Sequence, residues 1–527
     1  MRSQRAAGAR ARLVSLATLL VLPLFGAACS EAPERPQPRL VVLYATCTLN
    51  KSYLGPYGGT EYTPALDAFA DEAVVFERHQ TESGQSGISF ASIFSGTQSW
   101  KHGIYDHPNQ LREELYLIPE AFRDAGYDTY YWTGHQMADY GLGYGQGVEA
   151  SHVFDSTEGK RKREKLWSFL QPGNPLFEQM LARFDEDPDY RAFVLCNFTV
   201  THGKYHRQAP DEWYDVFLRS HPNASKGLTR ADLEAAWELY DMRYRAEGEE
   251  RQWRFDLQWG YDHAVTLSGK TEAELQAFHD AIEVTYAADV AFLDRMFGNT
   301  VQALRDHGLY DQSLIAFTAD HGETLYREGT LFKYTHGLQL APEVLEVPWL
   351  IRSPLHGRAG GRYPELTSSI DVYPTVAGLC GIDLSGKGIQ GRDLSGALLG
   401  EVDRPREPAF SHTTKIGGHM EADFARWSQT RRFFATSDVD RIWARIREED
   451  VVYKYRNFGE DRWGLAVFDL AADPLESTDL ADLSDPKHAE MQEALEAYKQ
   501  LLEQCFRDPG NRPEGALEDL KELGYAE

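Results

Sequence analysis

The chain has 527 residues, 42% hydrophobic and 26% charged, the profile of a globular protein long enough for one large domain and a smaller one. Its formal net charge of -27 argues against nucleic acid or an anionic membrane surface as the main partner, and against long polyanions outside a local basic pocket. The cysteines at 29, 47, 196, 380 and 505 show no CxxC spacing, so neither a zinc ribbon nor a disulfide framework is read.

The first stretch has the form of an export signal. Arg2, Arg5, Arg10 and Arg12 precede an apolar run over residues 13–25, and small residues 26–28 lead to Cys29. That run is short for a membrane span. Cys29 after small residues resembles a bacterial lipobox, although Gly26 stands where Leu is usual, so plain cleavage is the alternative. The expected product is exported: a periplasmic or cell-envelope lipoprotein, or a secreted protein, touching a membrane only through an N-terminal lipid anchor. Loss of the four arginines takes the charge from -27 to -31.

Residues 30–37 read as a tether. Residues 39–45 are a buried strand ending at Thr46-Cys47-Thr48. Thr63-Pro64 opens a helix with apolar spacing, residues 74–76 are a strand, and residues 84–95 read as a loop opening into a buried helix. A helix over 117–125, a strand over 128–132 and a strand over 193–198 ending at Thr201-His202 follow. Residues 203–275 are polar, rich in Trp and Tyr, and read as an irregular insertion over the active face. An amphipathic helix over 286–307 delivers the chain to a strand at 313–318. A further strand spans 347–351.

Strands alternating with helices predict an α/β fold with a doubly wound, mostly parallel sheet. Beyond about 407 the pattern changes to short strands (431–434, 451–454, 465–468) and a helix over 490–505. This predicts a smaller C-terminal α+β domain, 408–527, with an antiparallel sheet, beside a main domain of 38–407.

The chemistry-bearing stretch is Asp320-His321-Gly322-Glu323. A carboxylate and an imidazole just past a parallel strand lie where open α/β sheets bind ligands, and both residue types bind divalent metals.

Its surroundings resemble the sulfatase family of the alkaline phosphatase superfamily over nearly the whole chain. The resemblance is carried by Tyr286-Ala-Ala-Asp-Val-Ala-Phe-Leu-Asp294, by Phe317-Thr-Ala-Asp-His-Gly-Glu323, by His336-Gly-Leu-Gln-Leu340 with the Val-Pro-Trp-Leu-Ile-Arg352 that follows, and by Ser369-Ile-Asp-Val-Tyr-Pro-Thr375. It implies a metal-assisted hydrolase of sulfate or similar phosphate esters, acting on a small-molecule or saccharide ester. It puts Ser86 at the nucleophile position, Asp320 and His321 as ligands of one divalent ion (Ca, Zn or Mn), and His202 and His336 as oxyanion donors or leaving-group acids. His135, Lys101 and Lys333 are candidate anion contacts.

Two departures qualify that reading. The metal-binding Asp of the first segment is Cys47 here, and a thiolate is a soft ligand for zinc. The Pro and Arg read by the formylglycine-forming enzyme are Ile88 and Phe90, so the modification does not carry over to Ser86. An unmodified serine suits phosphodiester hydrolysis or phosphoryl transfer. The remaining alternative is a non-catalytic binding protein with a degenerate site.

Overall fold

The structure is a computed structural model. It describes residues 37–59, 62–105, 110–155, 170–242, 270–326, 334, 336–337, 340–356, 360–413, 443–457 and 463–506. Contacts group the chain into two units, Met1–Glu34 and Arg35–Glu527, and every described residue belongs to the second. The signal segment, most of the tether, the strand expected at 431–434 and Lys333 lie outside the described residues.

Strands β1 (Leu40–Thr46), β5 (Ala192–Phe198) and β6 (Ser313–Ala319) are buried along their full length. Near-continuous apolar runs of this kind suit a sheet covered on both faces. The alternation in β1 shows why: Leu40, Val42 and Tyr44 enter one core while Val41, Leu43 and Ala45 enter the other. Around them lie β2 (Val74–Gln80), β3 (Asp128–Thr133), β4 (Val153–Asp155), β7 (Trp349–Arg352) and β8 (Gly361–Ser368). The order is β4-β3-β5-β1-β6-β7-β2-β8, with β7 antiparallel to both its neighbours.

Among the described residues, the helices longer than one turn are α1 (Pro64–Ala70), α2 (Ser86–Ser95), α3 (Ile118–Asp124), α4 (Pro175–Glu186), α5 (Asp211–Ser220), α6 (Arg230–Met242), α7 (Glu272–Asp306), α8 (Val372–Leu379) and α9 (Pro486–Phe506). Helices α1, α5, α6 and α7 cover one face of the sheet, and α2, α3 and α8 the other. The last strands, β9 (Ala409–Thr413), β10 (Trp443–Glu448), β11 (Val451–Asn457) and β12 (Trp463–Asp469), form a separate antiparallel sheet packed on α9.

The segment 203–275 is not irregular where it is described. It carries α5 and α6, whose aromatic residues recur at helical spacing: Trp213, Tyr214 and Phe217, then Leu233, Trp237 and Tyr240, all buried. They dock on α7, with Trp213 Nε1 donating to Ala288 O at 2.7 Å and Trp237 Nε1 to Thr285 Oγ1 at 2.8 Å. Helix α7 itself starts at Glu272 instead of 286. A capping box explains the start: Glu274 N donates to Thr271 Oγ1 at 3.2 Å, and Thr271 N to Glu274 Oε2 at 2.8 Å.

Candidate active site

Parallel register brings the C-terminal ends of β1, β5 and β6 level, pairing Thr46 with Phe198 and with Ala319. The chain leaving each strand carries a polar group: Cys47 after β1, His202 after β5, Asp320 and His321 after β6. Backbone bonds continue the alignment past the strands, Cys47 N to Phe198 O at 2.7 Å, Asp320 N to Thr46 O at 3.0 Å and Leu49 N to His321 O at 2.9 Å. Ser86 is the first residue of α2, and His135 follows β3.

Cys47, Asp320 and His321 are fully buried, and one donor atom from each lies within 4.8 Å of the others. Asp320 Oδ1 accepts from Thr48 N at 3.1 Å and His321 N at 2.6 Å. Its Oδ2 has no hydrogen-bond partner among the described residues. An orphaned carboxylate oxygen in a dry site is costly. Burial raises the Asp320 pKa, and burial together with the Asp320 charge pushes the Cys47 thiol well up. A divalent cation would satisfy both acids, so the donor set fits a metal.

Hydrogen bonding fixes which histidine nitrogens carry protons. His321 Nδ1 donates to Gly322 O at 2.9 Å, which leaves an Nε2 lone pair 2.9 Å from Ser86 Oγ and 4.0 Å from Cys47 Sγ. His202 turns Nδ1 to Gly203 O at 3.4 Å, and His336 turns Nδ1 to Glu323 Oε2 at 3.3 Å. His135 is opposite. Its Nδ1 accepts from Met137 N at 3.1 Å, so in the neutral ring Nε2 carries the hydrogen. A ring nitrogen of His135 and one of His202 lie within 4.8 Å of Cys47 Sγ. Burial lowers His202 to about 3 and, with the neighbouring imidazoles, holds His135 well below its usual range. Both therefore face the site uncharged at neutral pH.

Ser86 Oγ stands 3.4 Å from Cys47 Sγ. His336 stacks on His321 at 4.4 Å between centroids and meets His202 at 5.1 Å. Lys101 is not brought to this group: it is half-buried and its ammonium bonds Gly388 O. His102 is also elsewhere, in a buried cluster with Glu82 and Ser92.

Several supporting residues escape a motif reading. Glu323, 1% exposed, holds His336 and accepts from Tyr205 OH at 2.9 Å. Thr48 is left-handed at φ 62, a conformation disfavoured for a β-branched residue. Tyr286 holds it there, donating to Thr48 O at 2.8 Å and accepting from Asn50 N at 2.9 Å. Glu323 and Tyr286 sit inside the quoted motifs, so proximity to them was the available signal.

A family model described as Sulfatase matches residues 40–382. The chain belongs to the sulfatase family. With membership comes the class of chemistry, hydrolysis of sulfuric esters or chemically similar phosphoric esters, and the family's general use of a divalent metal. The chain is 23% identical to an endo-4-O-sulfatase of Bacteroides thetaiotaomicron over 501 residues, covering 89% of this chain and 87% of that one. It is 29% identical to a choline-sulfatase of Rhizobium meliloti over 459 residues, covering 84% and 81%. Among solved structures, a phosphonate monoester hydrolase of Agrobacterium radiobacter superposes with a TM-score of 0.61 at 20% identity, over 89% of this chain and 96% of the other.

Proposed function

We propose that this sulfatase cleaves a sulfate ester of a small molecule or saccharide, with Ser86 as nucleophile and a soft divalent cation held by Cys47, Asp320 and His321. The observation that carries the reading is Ser86 Oγ at 2.9 Å from His321 Nε2, beside a buried thiol and an orphaned carboxylate oxygen. A thiolate, an imidazole and a carboxylate favour zinc over calcium, which prefers an all-oxygen shell. Such an ion lowers the pKa of an adjacent hydroxyl and draws charge from the transferred group.

The residues divide the remaining work. Ser86 Oγ forms the new S–O bond in line with departure of the ester oxygen. His202 and His336 flank the transferred group. The proton released by the Ser86 hydroxyl passes by way of the His336 Nε2 lone pair to the departing ester oxygen as its S–O bond breaks, and the Glu323 carboxylate on His336 Nδ1–H supports the imidazolium formed on the way. His135 offers an N–H to a non-bridging oxygen. The saccharide assignment is supported by a relative named as an N-acetylglucosamine-6-O-sulfatase and by a structural neighbour in complex with D-glucosamine-2-N,6-O-disulfate. Export, with or without a lipid anchor at Cys29, and the division at about 407 belong to the same reading.

A second substrate class has its own support. Ile88 and Phe90 are fully buried where a modifying enzyme would read Pro and Arg. An unmodified serine forms a sulfate ester that resists hydrolysis, whereas a phosphoserine at a metal site turns over. Phosphodiesters and phosphonate monoesters are therefore the alternative. Zinc analysis of the purified protein, with turnover of 4-nitrophenyl sulfate and bis-4-nitrophenyl phosphate, tests both. Cys47→Ala is expected to lose the metal and Ser86→Ala the turnover. The intact mass of the Ser86 peptide decides between classes, since formylglycine, about 2 Da lighter than serine, supports sulfate and an unmodified serine favours the phosphorus esters. No metal and no turnover of either ester would end the enzyme reading.

A further inference from the structure

The nucleophile and His336 reach the site on separate segments, the first following β2 and the second following β6. What sets their spacing is visible on the outer edge of β9. Ser411, His412 and Thr413 are fully buried. Ser411 Oγ donates to Thr81 O at 2.7 Å and accepts from Gln80 Nε2 at 2.8 Å. His412 N donates to Glu82 O at 2.8 Å. Thr413 Oγ1 donates to Gly337 O, in the peptide unit next to His336. Three consecutive residues of the C-terminal sheet thus grip the approach to Ser86 and the exit from His336.

The two gripped segments touch. A Cβ on Gly84 would lie 2.8 Å from Gly337 N and 2.5 Å from Val344 Cγ1, closer than side-chain carbons pack. Gly337 has φ 82, so the direction in which His336 enters depends on a peptide plane that only glycine adopts freely. The carboxylate of Glu82 stiffens the other side. It is 1% exposed and accepts from Ser92 Oγ at 2.5 Å, Ser99 N at 2.8 Å and Tyr498 OH at 3.4 Å.

We propose that β9 is a positioning strand: Thr413, acting through Gly337, sets the place of His336 relative to Ser86, so the C-terminal sheet is part of the reaction geometry. The proposal rests on Ser86 and His336 acting together in ester hydrolysis. Misplacement by a fraction of an ångström at such a site costs about tenfold in rate.

The test is a double-mutant cycle in the whole protein. Thr413→Val keeps the shape and removes the hydroxyl. It is expected to lower kcat about tenfold with KM little changed, and Thr413→Ser to restore the rate. In a His336→Ala background the same change is expected to have no further effect, because its target is gone. Equal losses in both backgrounds, or no loss in either, overturn the proposal. The imidazole resonances of His336, assigned by comparison with His336→Ala, supply a readout independent of turnover. They are expected to shift in Thr413→Val and return in Thr413→Ser. If neither ester is hydrolysed, the functional reading fails, and a shifted or unshifted His336 resonance still decides for or against the positioning strand. If Thr413→Val does not fold, Ser411→Ala takes its place, with the Ser86 side of the grip read by the same cycle in a Ser86→Ala background through binding of orthovanadate.

Discussion

At the scale of single residues, the tautomers of the four site histidines matter more than their number. His202, His321 and His336 each commit Nδ1 to an oxygen acceptor, and His135 alone receives an amide N–H there. That makes His135 a donor toward the site and a poor metal ligand, although it lies near Cys47. A metal-bound Nε2 would require a proton on Nδ1, which Met137 N–H already faces. His135→Ala is therefore expected to leave zinc stoichiometry unchanged and to lower kcat/KM by about a hundredfold, with His135→Gln recovering part of the loss through its amide N–H. Loss of zinc from His135→Ala would instead make it a ligand. Metal analysis beside steady-state kinetics distinguishes the two.

At the scale of elements, α1 has an unusual cap. Its Thr63 makes no side-chain cap bond, and the first turn is served from α7 instead. Asp294 Oδ2 accepts from Ala65 N at 3.0 Å and Oδ1 from Leu66 N at 2.8 Å. Burial raises the Asp294 pKa from 3.8 to about 7. A raised folded pKa means the folded state keeps its proton longer than the unfolded chain. The stabilisation is complete below the unfolded value and is lost as pH rises through about 7. Asp294→Asn, which cannot titrate, is expected to flatten this part of the stability profile between pH 4 and 7, as measured by denaturant midpoints. An unchanged slope would place the titration elsewhere. The same helix shows where the sequence misleads. Residues 286–307 read plainly as a helix, but Thr271-Glu272-Ala273-Glu274 is also a capping box, hidden inside a polar, aromatic stretch. The Trp and Tyr residues of that stretch read as part of an irregular insertion over the active face. Four of the described ones, Trp213, Tyr214, Trp237 and Tyr240, lie on the apolar faces of α5 and α6, which have helical spacing and a partner in α7. By contrast, β1, β5 and β6 were legible because full burial demands continuous apolar runs. Asp320, His321 and Ser86 were legible because motifs fix their place relative to those strand ends. Glu323, Thr48 and Tyr286 were not, since their roles depend on a φ angle and on bonds between distant segments.

At the scale of the molecule, the question is whether the two sheets are independent. The bonds between them are buried and charged. Glu346, next to β7, accepts Lys51 Nζ at 2.5 Å and Arg447 Nη1 of β10 at 2.7 Å. Burial alone would raise its pKa, but Lys51 and Arg447 outweigh it and bring the group to about 2. Arg445, fully buried, bonds Gln80 of β2 and meets Glu476 at 3.2 Å. Glu82 is shared with Tyr498 of α9. Removing residues 408–527 would leave Glu346 half-compensated and take partners from Glu82 and Gln80. Breaking a buried ion pair such as Arg447–Glu346 by removing one side costs about 3–5 kcal/mol, a large share of the stability of many domains. The full chain is therefore expected to melt in one calorimetric transition with equal calorimetric and van't Hoff enthalpies, and residues 38–407 alone to show no cooperative transition. Acid should weaken the full chain as pH falls from about 4.5 through about 2, because a lowered folded pKa gives stability that is present above the unfolded value and lost as Glu346 is protonated. Two separated transitions, or a folded 38–407 fragment, would make the C-terminal sheet an accessory. A single transition would make it part of the framework that holds Ser86 and His336 in register.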